Sequence, residues 1–244
     1  MRACFDRAGE RGLIAQRPEG AVDATGLEAR HASSYYVDRK GYRPFQRRKW
    51  PKLTVVCHSA SHLLAGVVVT QGPSNDSPQF PEALRQAVAN VPFDRLLADA
   101  AYDAEHNHRL CREELGIRST VIPLNDRAAI GPPATRYRAQ MARRFPRRIY
   151  AQRWQIESAI SRNKRPFGPA LRACTDQTQA HECLVRVLTH NLMILRLSPS
   201  RFSTEQASKG RPPRQSLPPE PAPHRPLTRR KAPLSGPAAP GARP

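Results

Sequence analysis

Two runs rich in β-branched residues, Leu53 to Cys57 and Leu63 to Thr70 (LLAGVVVT), stand either side of a short polar stretch, and this pattern predicts a hairpin. Ahead of them Ala21 and Val22 form a brief apolar run that ends at Asp23. After them Phe93 to Ala98 (FDRLLA) ends directly at Asp99, and Ile117 to Leu124 (IRSTVIPL) predicts a further strand. Helical periodicity covers Pro81 to Asn90, Ala104 to Leu115, Arg147 to Lys164 and Ala180 to Leu195. In the last of these, Ala180, Leu184, Val187, Leu188, Asn191 and Leu195 keep the spacing of one helix face. Strands first, then strands alternating with helices, predict an α/β fold: a mixed sheet layered with helices. Pro18 and Gly20 predict a short strand before Asp23, and the stretch from Leu124 to Arg147 predicts only a loop.

Composition divides the chain. From Pro199 onward 12 of the 46 residues are proline, with nine Lys or Arg and two acids. Such a segment cannot bury enough surface to offset its ordering entropy, so 199–244 is expected to be a disordered Pro-rich basic tail. Residues 21–198 are expected to form one folded domain, and residues 1–20 a poorly defined N-terminal remnant with no convincing helix-turn-helix pattern. Over the 244 residues, 40 Lys and Arg against 20 Asp and Glu give a formal charge of +20, which points to a polyanionic partner. Charge alone leaves DNA, RNA and an anionic membrane surface open, but no apolar run approaches the length of a membrane span. The five cysteines are scattered without paired metal-ligand spacing, a usage expected of reduced thiols in a cytoplasm.

The candidate chemistry lies at strand ends and on one helix. If the strands ending at Asp23 and Asp99 are neighbours, two carboxylates meet on one rim, where open α/β sheets place their sites. Aspartates also end strands simply because they favour turns. His58 and His62 lie near the hairpin turn, where solvated side chains are expected. At about 100° per residue, Tyr150, Arg153, Glu157 and Lys164 fall within an arc of about 60°, beside the apolar Ile149, Ile156 and Ile160. An acid held beside a core between cations suits a metal ligand next to a phosphate track. The same pattern also describes an amphipathic helix whose Arg and Glu pair with each other. Between Arg136 and Arg172 there are eleven Lys or Arg and a single acid, Glu157. A second basic run, Arg39 to Lys52, includes Arg47, Arg48 and Lys49 and interleaves Tyr42, Phe45 and Trp50, rings able to stack on bases or to pack under the sheet.

These motifs together resemble the DDE transposases of bacterial insertion sequences, in the group with a Tyr-x2-Arg-x3-Glu-x6-Lys signature. Tyr150, Arg153, Glu157 and Lys164 reproduce that spacing, Val22-Asp23-Ala24-Thr25-Gly26 matches the first acidic motif, and Asp99-Ala100-Ala101-Tyr102 the second. The resemblance spans Ala21 to Leu197. It implies a ribonuclease H-like fold in which Asp23, Asp99 and Glu157 hold two Mg²⁺ (or Mn²⁺) ions for DNA cleavage and strand transfer. It also implies DNA contacts by Tyr150, Arg153 and Lys164, with Arg162, Arg47, Arg48 and Lys49 as further DNA-binding candidates. The partners implied are transposon ends and target DNA, with a homodimer on DNA and no membrane. Such enzymes carry a longer region before the first aspartate, so an N-terminally truncated copy is expected. A basic DNA-binding remnant without catalysis is the alternative; only the enzyme predicts metal binding that depends on the three acids.

Overall fold

The computed structural model describes residues 1–28, 50–125 and 133–197. The anticipated disordered tail from residue 199, and Arg47, Arg48 and Lys49 of the second basic run, lie outside the described residues.

Five strands form one sheet: β1 (Glu19–Gly26), β2 (Trp50–His58), β3 (Leu64–Gly72), β4 (Arg95–Ala98) and β5 (Ser119–Val121), in the order β3-β2-β1-β4-β5. The hairpin of β2 and β3 and the β1–β2 pair are antiparallel, whereas β4 runs parallel to β1 and β5 parallel to β4. A three-stranded meander extended on one edge by parallel strands is the ribonuclease H-like sheet, and the expected α/β class holds. Both faces are covered, which is why β2 and β3 read as nearly continuous apolar runs rather than alternating ones.

Alternation along the strands, interrupted where β2 and β3 slip register between Val56 and Cys57, separates two layers of core. Val22, Val56, Ala65, Val68, Leu96 and Ala98 point to the face covered by α1 (Arg2–Glu10) and α2 (Phe80–Asn90). Ala21, Val55, Cys57, Val67, Leu97 and Val121 point to the opposite face. There they meet Ile156 and Ala159 of a helix over Trp154–Lys164 and Cys183 and Val187 of one over Asp176–Leu197. Gly66 lets α2 lie directly on β3, since a Cβ there would stand 2.1 Å from the Ala83 carbonyl oxygen. All five cysteines are unpaired.

Several elements differ from the sequence pattern. Before β1, where no element was expected, α1 places Cys4, Phe5 and Ala8 in the core. β1 is eight residues long, because Gly20 sits inside the strand opposite His58, pressed against the Phe93 ring. The helix expected over Ala104 to Leu115 is a short α3 (Glu105–Arg109) followed by a π-type turn at Leu110–Glu114. The stretch expected to be only a loop contains α4 (Arg136–Arg143). The Glu105 carboxylate accepts from the amides of Tyr137 (3.0 Å) and Arg138 (3.1 Å), and so supplies the N-terminal cap that the Thr135 side chain at the N-cap position does not. The helix expected over Arg147 to Lys164 is interrupted: α5 (Arg147–Tyr150), a 3₁₀ turn at Ala151–Arg153, then α6 (Trp154–Lys164). α6 ends before Pro166, as expected from the proline. The last helix, α7 (Asp176–Leu197), is longer than its apolar periodicity suggested.

His58 and His62, expected to be solvated, are buried. The hairpin turn is covered by α6 and α7: His62 Nε2 lies 2.6 Å from Gln155 Oε1, and His190 Nε2 2.9 Å from the His62 carbonyl oxygen. Burial, with a smaller contribution from His62, lowers the His58 imidazole to about 4.

Candidate active site

The site is assembled by strand register. The parallel pairing of β1 and β4 ends at Val22 opposite Ala98, so Asp23 and Asp99 follow it at the same level on adjacent strands. Asp23 is not at the end of its own strand, as its apolar run suggested; it is still paired with Val55 of β2. It succeeds the last residue that β4 can cover, and so lies on the open rim. Two positions after Ala21, it faces α6, whose Ile156 packs on Ala21 and Val55 in the same core layer. Asp99 begins a 3₁₀ turn and accepts from the Ala101 amide at 2.9 Å.

Glu157 is brought to the rim by α6. Arg153, one turn before it, donates to Glu157 Oε1 at 2.5 Å and to Asp23 Oδ2 at 3.4 Å. Asp23 and Arg153 are each about one-fifth exposed, whereas Glu157 is 57% exposed. Burial pushes the Asp23 carboxyl above its ordinary range, and the Asp99 and Glu157 carboxylates add to that rise; the Ala24 amide and Arg153 work against it. Burial opposes the Arg153 charge, but Asp23, Tyr150, Glu157 and Asp99 outweigh it and raise its pKa. Burial pushes the Tyr150 phenol up, and the nearby Arg153 charge works against that rise. Lys164, lowered by burial, donates to Thr25 Oγ1 at 2.7 Å and to the Gly26 carbonyl at 3.0 Å.

An open cleft of about 520 Å³ runs along this rim, lined by Asp23, Thr25, Glu157, Ser161, Lys164 and Arg165. The structure thus groups Asp23, Glu157, Arg153 and Lys164, with Asp99 and Tyr150 close enough to act on them electrostatically. Arg162 is not in this group: it lines a separate depression with Leu13, Ser61 and His190. Trp50, the first residue of β2, is exposed, and its indole lies against Gly26 of β1 and Gly72 of β3. Thr25 and Arg165 had not been singled out by sequence. The position of Thr25 two residues after Asp23 was the available signal for it.

A sequence model of the family described as transposase DDE domain matches residues 14–192. The chain belongs to this family. Among solved structures, the DDE domain matches a piggyBac transposase synaptic complex with hairpin DNA at 11% identity and a TM-score of 0.46, over 81% of this chain and 49% of that one. It therefore spans about half the length of that transposase chain. The catalytic core of the BIV integrase matches at 14% identity and a TM-score of 0.28, over 68% of this chain and 95% of that one.

Three carboxylates on one rim are hard oxygen donors of the kind a divalent cation takes. As they stand, no three His, Cys, Asp or Glu side chains among the described residues are close enough to hold a metal ion together. The donor chemistry fits, and the Arg153 guanidinium stands between Asp23 and Glu157. Among the described residues no helix is long and apolar enough to cross a membrane.

Proposed function

We propose that this DDE domain cleaves DNA and transfers strands as the transposase of an insertion sequence, using two Mg²⁺ or Mn²⁺ ions held by Asp23, Asp99 and Glu157. The observation that carries the reading is the level shared by Asp23 and Asp99 at the end of the β1–β4 pairing, on the sheet face that α6 covers. Bound divalent ions would lower the pKa of an attacking water or DNA hydroxyl and stabilise the leaving oxygen. Such chemistry requires no protein nucleophile. The chain's own side chains position the acids and bind phosphate. Lys164 and Arg165 line the cleft as cations for the backbone of a transposon end, and Tyr150 and Arg153 flank it. Arg47, Arg48 and Lys49 add charge next to β2 in sequence, and Arg162, on its separate depression, serves DNA outside the cleft. Two copies of the chain would pair the two transposon ends.

The test is nicking of supercoiled plasmid by the purified chain, with and without Mg²⁺ or Mn²⁺, beside an Asp99→Asn variant. Metal-dependent nicking lost in the variant supports the reading. DNA binding by both proteins with nicking by neither would contradict it and leave a DNA-binding protein without catalysis.

A further inference from the structure

Arg153 bridges the two elements that must converge on a cation. Its guanidinium reaches Glu157 at 2.5 Å on α6 and Asp23 at 3.4 Å on β1. Its side chain is nearly four-fifths buried. A planar fork of donors suits two carboxylates better than a flexible ammonium would, and its charge offsets one of the two negative charges. A guanidinium and a divalent ion compete for the same carboxylate oxygens.

Resting on the proposed metal-dependent reading, we infer that Arg153 is a built-in counter-ion of the cation site: a positioning residue that holds Asp23 and Glu157 in place before a metal enters and must leave them for it to bind. Once displaced, the guanidinium is free to take a DNA phosphate across the cleft. Cation and DNA then favour each other, since each removes a competitor of the other, and by linkage the gain is reciprocal. The fold supports the exchange: Arg153 sits at the junction of a 3₁₀ turn and α6, where a side-chain rotation leaves the helix that carries Glu157 unmoved.

The test is titration of the full chain with Mn²⁺ alone, followed by calorimetry, for wild type, Arg153→Gln, Arg153→Lys, Lys164→Gln and Asp23→Asn. Lys164→Gln removes a cation of the same cleft that forms no ion pair with an acid among the described residues, and so measures the general effect of charge. Arg153→Gln is expected to tighten Mn²⁺ binding about tenfold, at least fivefold more than Lys164→Gln, with Arg153→Lys between. An effect of Arg153→Gln no larger than that of Lys164→Gln overturns the counter-ion role. Should Arg153→Gln fail to fold, Arg153→Lys carries the test by itself, and affinity equal to wild type overturns the inference. Asp23→Asn separates the two claims: if it leaves Mn²⁺ binding unchanged, the metal site itself is wrong. If it weakens binding while Arg153→Gln does not tighten it, only the counter-ion is.

Discussion

Lys164 donates to Thr25 Oγ1 at 2.7 Å, so the last turn of α6 is tied to the strand that carries Asp23, 139 residues earlier in the chain. The same ammonium reaches the Gly26 carbonyl oxygen, and half-burial lowers its pKa. One side chain thus joins the two acid-bearing elements while lining the cleft.

Lys164→Ala is expected to weaken DNA binding uniformly across sequences and to reduce the salt dependence of the affinity by about one unit of slope. Thr25→Val removes the tie but keeps the charge. It is expected to cost about 1 kcal/mol of stability and leave the salt slope unchanged. Binding titrations at several salt concentrations, with denaturant unfolding of the same proteins, check both.

The Asp103 side chain is fully buried and forms a two-point pair with Arg138, at 2.9 Å through both Nε and Nη2. Removing either partner leaves the other without its counter-charge, so Asp103→Ala or Arg138→Ala is expected to destabilise by about 3 kcal/mol. The double variant should lose much less than the sum. Urea unfolding of the three variants measures this.

Much of the site can be traced in the sequence because apolar runs stop at acids. Val22 and Ala98 end the buried parallel pairing, and the next residue after each emerges at the rim. The acid of α6 was legible from Ile156 beside it, since one stripe must bury for the next to face the rim. What could not be read depends on distant partners. Helix α4 has only Tyr137 and Met141 on its buried side. It is held by Glu105 and Asp103, more than thirty residues away. The burial of His62 requires Gln155 and His190, which no local pattern near the hairpin announces. The hairpin strands were legible from their β-branched runs. Helix α1 was not, for its buried side consists of Cys4, Phe5 and Ala8 alone.

Gly66→Ala would place a methyl carbon 2.1 Å from the Ala83 carbonyl oxygen, a backbone atom that cannot turn aside. Helix α2 must then lift from β3. The expected loss is about 3 kcal/mol, at the upper end of overpacking costs, read as a lowered melting temperature.

Burial lowers the imidazoles of His58 and His108 to about 4 from an ordinary 6.5. Between those values the unfolded chain binds protons that the folded chain refuses. Stability is therefore complete above pH 6.5 and declines as the pH falls toward 4. From pH 6.5 to 5 the loss is expected to be on the order of 1–2 kcal/mol for each histidine. His108→Gln should flatten part of that slope, and unfolding curves at a series of pH values check it.

The most direct test of the active site separates cutting from binding in Glu157→Gln, which keeps the shape of the side chain and removes its charge. On Mg²⁺-loaded protein, the rate of plasmid nicking and the affinity for the same DNA are measured together. A fall of a hundredfold or more in rate with affinity within about threefold of wild type is the predicted result, for loss of a ligand of the ions that act at the reacting phosphate. Nicking at the wild-type rate would contradict the assignment of Glu157 to the catalytic rim.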